Sequence, residues 1–212
     1  MRLIYKGAEA DVFEGNWCGA PAVYKVRKPL AYRLRQLDVS IRVQRTVREA
    51  QMIHESKAAG VRSPSLYYVS PQEGLLVMEY LEGRRLKAVL EAATSWEEVD
   101  GLAVSLGVSV ARLHSAGIMH GDLTTSNVIV DGENKLGLID FGLAVHSRRL
   151  EDHAVDLRLI KETVTGAHNP LSKRFMQSLL KGYSSVMGKD KAEAAARKLH
   201  EIERRGRYAR VE

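Results

Sequence analysis

The sequence lacks most of the features that would place it in a special structural class. Its 212 residues hold a single cysteine, Cys18, so no disulfide can form within the chain, and a reducing compartment suits it. No apolar stretch approaches the roughly 18 residues that span a bilayer. The opening Met1-Arg2-Leu3-Ile4-Tyr5-Lys6-Gly7 has no apolar core of the kind a secretory signal needs. These absences predict a cytosolic protein without a membrane partner. Disorder is excluded by composition, because 45% hydrophobic and 27% charged residues are those of a chain that buries a core. The charge balance is basic, +6 with a pI near 9.4, which permits an acidic or nucleic-acid partner and also an anionic ligand.

What is present is concentrated in one stretch. His120 is followed by Asp122 and then Asn127, and a little further on stands Asp140-Phe141-Gly142. Residues 127–130 predict a strand, 131–134 its turn and 136–139 the returning strand, which brings Asp140 back beside Asn127. Transfer of a phosphoryl group spreads negative charge over oxygens. Such a site needs cations on fixed oxygen ligands and one group that orients the attacking hydroxyl. Asn127 and Asp140 are the expected magnesium ligands, and Asp122 the residue facing the nucleophile. Protein kinases place a base and two metal ligands in this order.

The first third predicts a small lobe around the nucleotide. Residues 3–5, 12–14 and 22–26 are short β-rich runs separated by Gly7, Gly15 and Gly19. Lys25 stands mid-strand among apolar neighbours. It resembles the strand lysine that pairs with nucleotide phosphates and needs a carboxylate from the next helix. Glu49 is the candidate, on a helix capped by Asp38, striped by Val39, Val43, Val47, Ala50 and Ile53, and ended by Gly60; the alternative pairs Glu49 with Arg45 on an exposed face. The phosphate-covering loop is degenerate: where kinases show Gly-x-Gly-x-x-Gly, this chain has Gly7-Ala8-Glu9-Ala10-Asp11-Val12, whose acids must turn away from a phosphate. Residues 75–83 predict an apolar strand running into a hinge. By resemblance to kinases, Met78 borders the adenine pocket, while the Glu79 carbonyl and the Leu81 N–H bond the adenine edge.

Beyond Gly83 the pattern turns helical. Trp96, Val99, Leu102, Ala103, Leu106, Val110 and Leu113 recur at helical steps and stop at Gly117, predicting a buried scaffold helix, on which His114 packs or bonds locally. No Ala-Pro-Glu follows Gly142, so the usual activation and substrate-docking segment is largely missing, and only a few more helices fit. Asp156 resembles the buried aspartate that ties down a catalytic loop; a helix-face carboxylate is the alternative. The expected architecture is α+β and bilobal, protein-kinase-like. It comprises an N-lobe over 1–82, a reduced helical C-lobe over 83–203 and a basic tail over 204–212.

Three stretches narrow the resemblance. The run 120–127, the spacing Lys25-x-Arg27-Lys28-x-x-x-Tyr32-Arg33-x-x-x-Leu37-Asp38, and the Arg204-Arg205-Gly206-Arg207 end look like the small atypical kinase of the KEOPS (EKC) complex, the p53-related protein kinase family. That resemblance covers the whole chain. It implies an ATP-hydrolysing, autophosphorylating Ser/Thr kinase with Mg as cofactor, which supports threonylcarbamoyladenosine formation in ANN-decoding tRNAs. It also implies a threonylcarbamoyl transferase as partner, a small regulatory subunit on the N-lobe, and tRNA on the basic tail. Two departures from ordinary protein kinases matter. Gly121 replaces the arginine that reads an activation-loop phosphate, and Thr124 replaces a lysine near the transferred group. Other classes compete: a stand-alone RIO-like or small-molecule kinase, and a non-catalytic scaffold binding tRNA or protein.

Overall fold

A computed structural model describes the backbone of residues 1–167 and 169–208, and the side chains outside 165–171 and 206–212. The small lobe is an antiparallel sheet built from β1 (Arg2–Lys6), β2 (Ala10–Trp17), β3 (Ala20–Arg27), β4 (Leu66–Ser70) and β5 (Leu75–Glu79) in the order β1-β2-β3-β5-β4. Helix α1 (Arg35–Ala58) crosses between β3 and β4. Lys25 pairs in register with Val12 on one side and Leu76 on the other, which fixes it at the centre of the sheet.

Past the hinge come β6 (Arg84–Arg85), α2 (Leu86–Ala92), α3 (Trp96–Ser115) and β7 (Ile118–Met119). They are followed by β8 (Val128–Val130), β9 (Leu136–Leu138), β10 (Val145–His146), α4 (Leu150–Ala167), α5 (Asn169–Met187) and α6 (Lys189–Tyr208). Helix α3 begins where the Ser95 hydroxyl accepts the Glu98 N–H at 3.5 Å, the start of a Ser-x-x-Glu capping sequence. Its Val99, Leu102, Ala103, Leu106, Val110 and Leu113 are all at most 2% exposed, as the periodicity predicts, but Trp96 at the start of the stripe is 45% exposed, its ring covered by the Arg174 guanidinium at 5.0 Å. Helices α3 and α5 approach backbone to backbone. A methyl on Gly107 would lie 2.0 Å from the Leu179 carbonyl oxygen, and one on Gly182 2.0 Å from that of Val104, so neither position admits a side chain. Met52, Ile53, Leu76 and Met78 of the small lobe join one apolar core with Leu86, Leu123 and Phe141 of the large lobe. Among the described residues no helix is long and apolar enough to cross a membrane.

Several sequence expectations need correction. Helix α1 starts at Arg35, one turn before Asp38, so Asp38 is not its cap. Asp38 is instead buried and accepts from Leu30 N at 3.2 Å and Arg42 Nε at 2.8 Å. The inward face of α1 is Asp38, Thr46, Glu49, Met52, Ile53 and Ser56, while Val39 and Val47 are exposed. The apolar stripe misled because this face carries polar groups satisfied internally: Thr46 bonds the Arg42 carbonyl at 2.7 Å and Ser56 bonds Ser63 at 2.9 Å. Asn127 lies in a short 3-10 turn, Thr125–Asn127, rather than in β8. The basic segment taken for a tail continues α6 as far as Tyr208, and Arg205 reaches Glu151 of α4 at 3.3 Å. Arg210 and the rest of 209–212 lie outside the described residues.

Candidate active site

The loop at 120–127 is held from below by one carboxylate. Asp156, fully buried on α4, accepts the backbone N–H of His120 at 2.7 Å and that of Gly121 at 2.9 Å. Asp156 is itself held, for His114 reaches it through Nε2 at 3.2 Å and Tyr183 through Nδ1 at 2.9 Å. Of the two readings of Asp156, the loop anchor holds, and His114 bonds locally as expected. Tyr183, whose phenol pKa is raised well above its usual value by burial and then by Asp156, was not foreseen, since nothing local in the sequence marks a tyrosine on a distant helix.

His120 is packed against Phe141 with ring centroids 4.8 Å apart. Its Nε2 lies 3.2 Å from the Ile139 carbonyl, which can only accept, and its Nδ1 receives the Asp122 N–H at 3.3 Å. That pattern demands a neutral ring protonated at Nε2. Burial holds its pKa below the ordinary histidine value, against the pull of Asp156 and Asp140. Histidine here is a structural bracket between the loop and the strand carrying Asp140.

Gly121 has φ +79, and a methyl there would lie 2.5 Å from the Leu143 carbonyl oxygen. An arginine therefore cannot stand at this position without moving the segment after Gly142. The loss of the phosphate-reading arginine is thus built into the backbone path.

Five expected residues converge on one cleft of about 570 Å³ between the lobes, whose lining includes Lys25, Glu49, Asp122, Asn127 and Asp140. Lys25 Nζ bonds Glu49 Oε1 at 2.7 Å and Asp140 Oδ1 at 2.8 Å. Burial opposes the lysine's charge, but Glu49 and Asp140 outweigh it and raise the pKa above the usual lysine value. The Asp140 carboxyl behaves in mirror fashion: its enclosure opposes ionisation, yet Lys25 and the Gly142 N–H hold it below the usual carboxylate range. Asp140 also has φ +62, a strained setting for a residue other than glycine. The alternative partner for Glu49 fails, because Arg45 pairs with Glu9 instead.

Asn127 donates its side-chain N–H to the Asp122 backbone oxygen at 2.9 Å and to Asp122 Oδ2 at 2.8 Å. This fixes the Asp122 carboxylate. With its nitrogen committed, Asn127 offers its amide oxygen, which together with the Asp140 carboxylate makes a hard oxygen pair of the type that holds magnesium when phosphates complete the shell.

Met78, Glu79 and Leu81 line the same cleft, with Met78 7% and Leu81 8% exposed. Gly7 and Ala8 form the β1–β2 turn, where the Gly7 N–H bonds the Ala10 carbonyl at 3.0 Å, and they stand outside the cleft lining. The strands supply the roof instead, through Ile4, Tyr5 and Val12. The two acids of this loop are indeed turned away: Glu9 takes Arg33 at 2.8 Å and also Arg45, while Asp11 takes Lys28 at 2.9 Å.

Sequence reasoning missed Arg27. It donates to Glu49 Oε2 at 2.6 Å and is 6% exposed. The available signal was its two-residue spacing from Lys25, which sets both on one face of β3.

Comparison with known proteins agrees with this geometry. The model of the protein kinase domain matches residues 19–168. A KEOPS complex subunit Bud32 from Pyrococcus abyssi is 38% identical over 214 residues, covering 98% of this chain and 96% of that protein. A probable bifunctional tRNA threonylcarbamoyladenosine biosynthesis protein from Methanobrevibacter smithii is 41% identical over 206 residues, 97% of this chain. The chain spans only 36% of that longer relative. An ADP-bound aminoglycoside phosphotransferase, APH(2'')-Ib, shares the fold with a TM-score of 0.64 at 18% identity, covering 93% of this chain and 80% of its own. The chain belongs to the protein kinase domain family and, within it, to the relatives of the KEOPS complex subunit Bud32.

Proposed function

We propose that the cleft binds ATP with magnesium and that the chain is an atypical Ser/Thr kinase and ATPase serving threonylcarbamoyladenosine formation in tRNA. The observation that carries this reading is the convergence of Lys25, Glu49, Asp140, Asn127 and Asp122 in one cleft. Lys25, held by Glu49, turns from Asp140 to the nucleotide phosphates. Asn127 and Asp140 hold the cation, which when bound neutralises charge developing on the transferred group. Asp122, aimed by Asn127, orients a hydroxyl or a water for attack. Met78, the Glu79 carbonyl and the Leu81 N–H receive the adenine, and Gly7 and Ala8 close over the phosphates from the turn.

Hydrolysis fits the site better than transfer to varied proteins, because Thr124, which lines the cleft, offers no cation to the transferred group. Activity then depends on a partner, with a threonylcarbamoyl transferase on the large lobe and a small regulatory subunit on the N-lobe. The basic end contributes to tRNA binding. Since α6 runs to Tyr208, this is tested by replacing Arg207 and Arg210 with glutamine rather than by truncation after Glu203, which would cut the helix.

The deciding experiment is ATP turnover by Asp140→Ala in the presence of magnesium and the transferase. Turnover is expected to fall by about three orders of magnitude or more. Near-normal turnover would refute the assignment.

A further inference from the structure

Three hydroxyl residues, Thr124, Thr125 and Ser126, stand between Asp122 and Asn127, and the fold gives them different surroundings. Thr125 is 2% exposed, and its backbone N–H bonds Thr163 Oγ1 of α4 at 3.4 Å. Ser126 lines the cleft, but its carbonyl is taken by Arg85 of β6 at 2.7 Å, at the end next to the hinge. Thr124 lines the cleft too, and its backbone is pinned on both sides. Its N–H bonds the Asp122 carbonyl at 2.9 Å, and its own carbonyl accepts the Asn127 N–H at 3.0 Å. Among the described residues the Thr124 hydroxyl has no hydrogen-bond partner. Asp122 is in a similar position: Asn127 takes its Oδ2 at 2.8 Å, while its Oδ1 accepts from no group among the described residues.

Two uncommitted oxygen acceptors therefore border one cleft, on a backbone that holds them close together. A carboxylate by itself suits an alcohol, which has one proton to give and needs one acceptor to aim its lone pairs. A water has two protons, and with a single acceptor it turns freely about that bond. A second acceptor removes the freedom: with one proton on Asp122 Oδ1 and the other on Thr124 Oγ1, the lone pair of the water is aimed. The lysine that ordinary protein kinases carry at this position has three donors and no acceptor, so it could not take the second proton.

We propose that Thr124 is a catalytic residue of hydrolysis: its hydroxyl accepts one proton of the attacking water while Asp122 accepts the other, which favours water over an alcohol as nucleophile. The inference rests on the reading of the cleft as an ATP site. The water oxygen bonds the γ-phosphorus, and the bond from that phosphorus to the β–γ bridging oxygen breaks, its electron pair leaving on ADP. The proton taken by Asp122 passes to the released phosphate, which restores the carboxylate. Thr124 keeps its own proton throughout.

The test is phosphate release from magnesium–ATP by the assembled complex, with Thr124→Val, which keeps the shape and removes the hydroxyl, and Thr124→Ser, which keeps the hydroxyl. Wild-type affinity for a fluorescent ATP analogue comes first. No binding would end the ATP reading itself, whereas binding without any phosphate release would overturn this proposal alone. Thr124→Val is expected to lower kcat for phosphate release by about tenfold or more, with KM and nucleotide affinity within about twofold of wild type. Thr124→Ser should stay within about threefold of wild type. With γ-labelled ATP, the label retained on the chain for each phosphate released should rise in Thr124→Val, because a side-chain hydroxyl has no second proton for Thr124 to take. Where neither chain takes label, the contrast of valine with serine decides alone. Phosphate release by Thr124→Val within about twofold of wild type would overturn the proposal, as would serine as slow as valine, or hydrolysis and labelling falling together. If Thr124→Val does not fold, Thr124→Ala takes its place with the same expected loss and the same contrast to serine.

Discussion

The loop at 120–127 and the turn at 7–12 are held by different physics. At 120–127 the loop hangs from one buried carboxylate: Asp156 takes two backbone N–H groups and is backed by His114. At 7–12 the turn is held by side-chain ion pairs at half-exposed positions, Glu9 with Arg33 and Arg45 and Asp11 with Lys28. Buried polar networks are costly to break, whereas exposed ion pairs contribute little and are screened by salt. The first loop is therefore a fixed floor, and the second a latch that salt and mutation can loosen.

The sharpest way to break the contrast is Asp156→Ala. It orphans two buried backbone donors and the His114 ring, and should cost at least about 3 kcal/mol of stability, measured by denaturant unfolding. A loss under about 1 kcal/mol would mean the floor is supported elsewhere.

A second prediction concerns acid. His153 stacks on His114 at 4.1 Å between centroids and bonds the Ser147 carbonyl at 3.2 Å. Its pKa is depressed by burial and then by His114, as that of His120 is by burial. Both rings are neutral when folded and bind a proton more readily once unfolded. Their stability contribution is therefore complete above the ordinary histidine value of about 6.5 and is lost as pH falls below it toward the depressed folded values. The unfolding midpoint should drop between about pH 7 and pH 5, and His153→Gln should flatten part of that drop. An unchanged slope in the variant would remove His153 from the account.

The smallest effect belongs to the latch. Glu9→Gln should change stability by less than about 1 kcal/mol, and the change should shrink further at high salt. A larger, salt-independent loss would show that the two loops are not held differently after all.

Legibility in the sequence followed the same division. The order His120, Asp122, Asn127, Asp140 could be read because its spacing is that of the protein kinase domain, and the scaffold helix α3 because its buried face is apolar save for His114. The inward face of α1 could not, since it carries Asp38, Thr46, Glu49 and Ser56, which hydrophobic periodicity does not register. The latch was hidden for a further reason. Glu9 and Arg45 are adjacent only after the sheet forms, and the acids looked like defects in a phosphate loop until their partners on α1 and after β3 were placed. The short strands β6, β7 and β10 leave two residues each to read, too few for any period.

In the proposed function Asp122, held by Asn127, acts on the attacking group and not on the nucleotide. The most direct test is to measure magnesium–ATP affinity and ATP turnover together in Asp122→Ala within the assembled complex. Affinity within about twofold of wild type, with turnover reduced by about a hundredfold or more, is the predicted result. Turnover retained, or affinity and turnover lost in parallel, would contradict it.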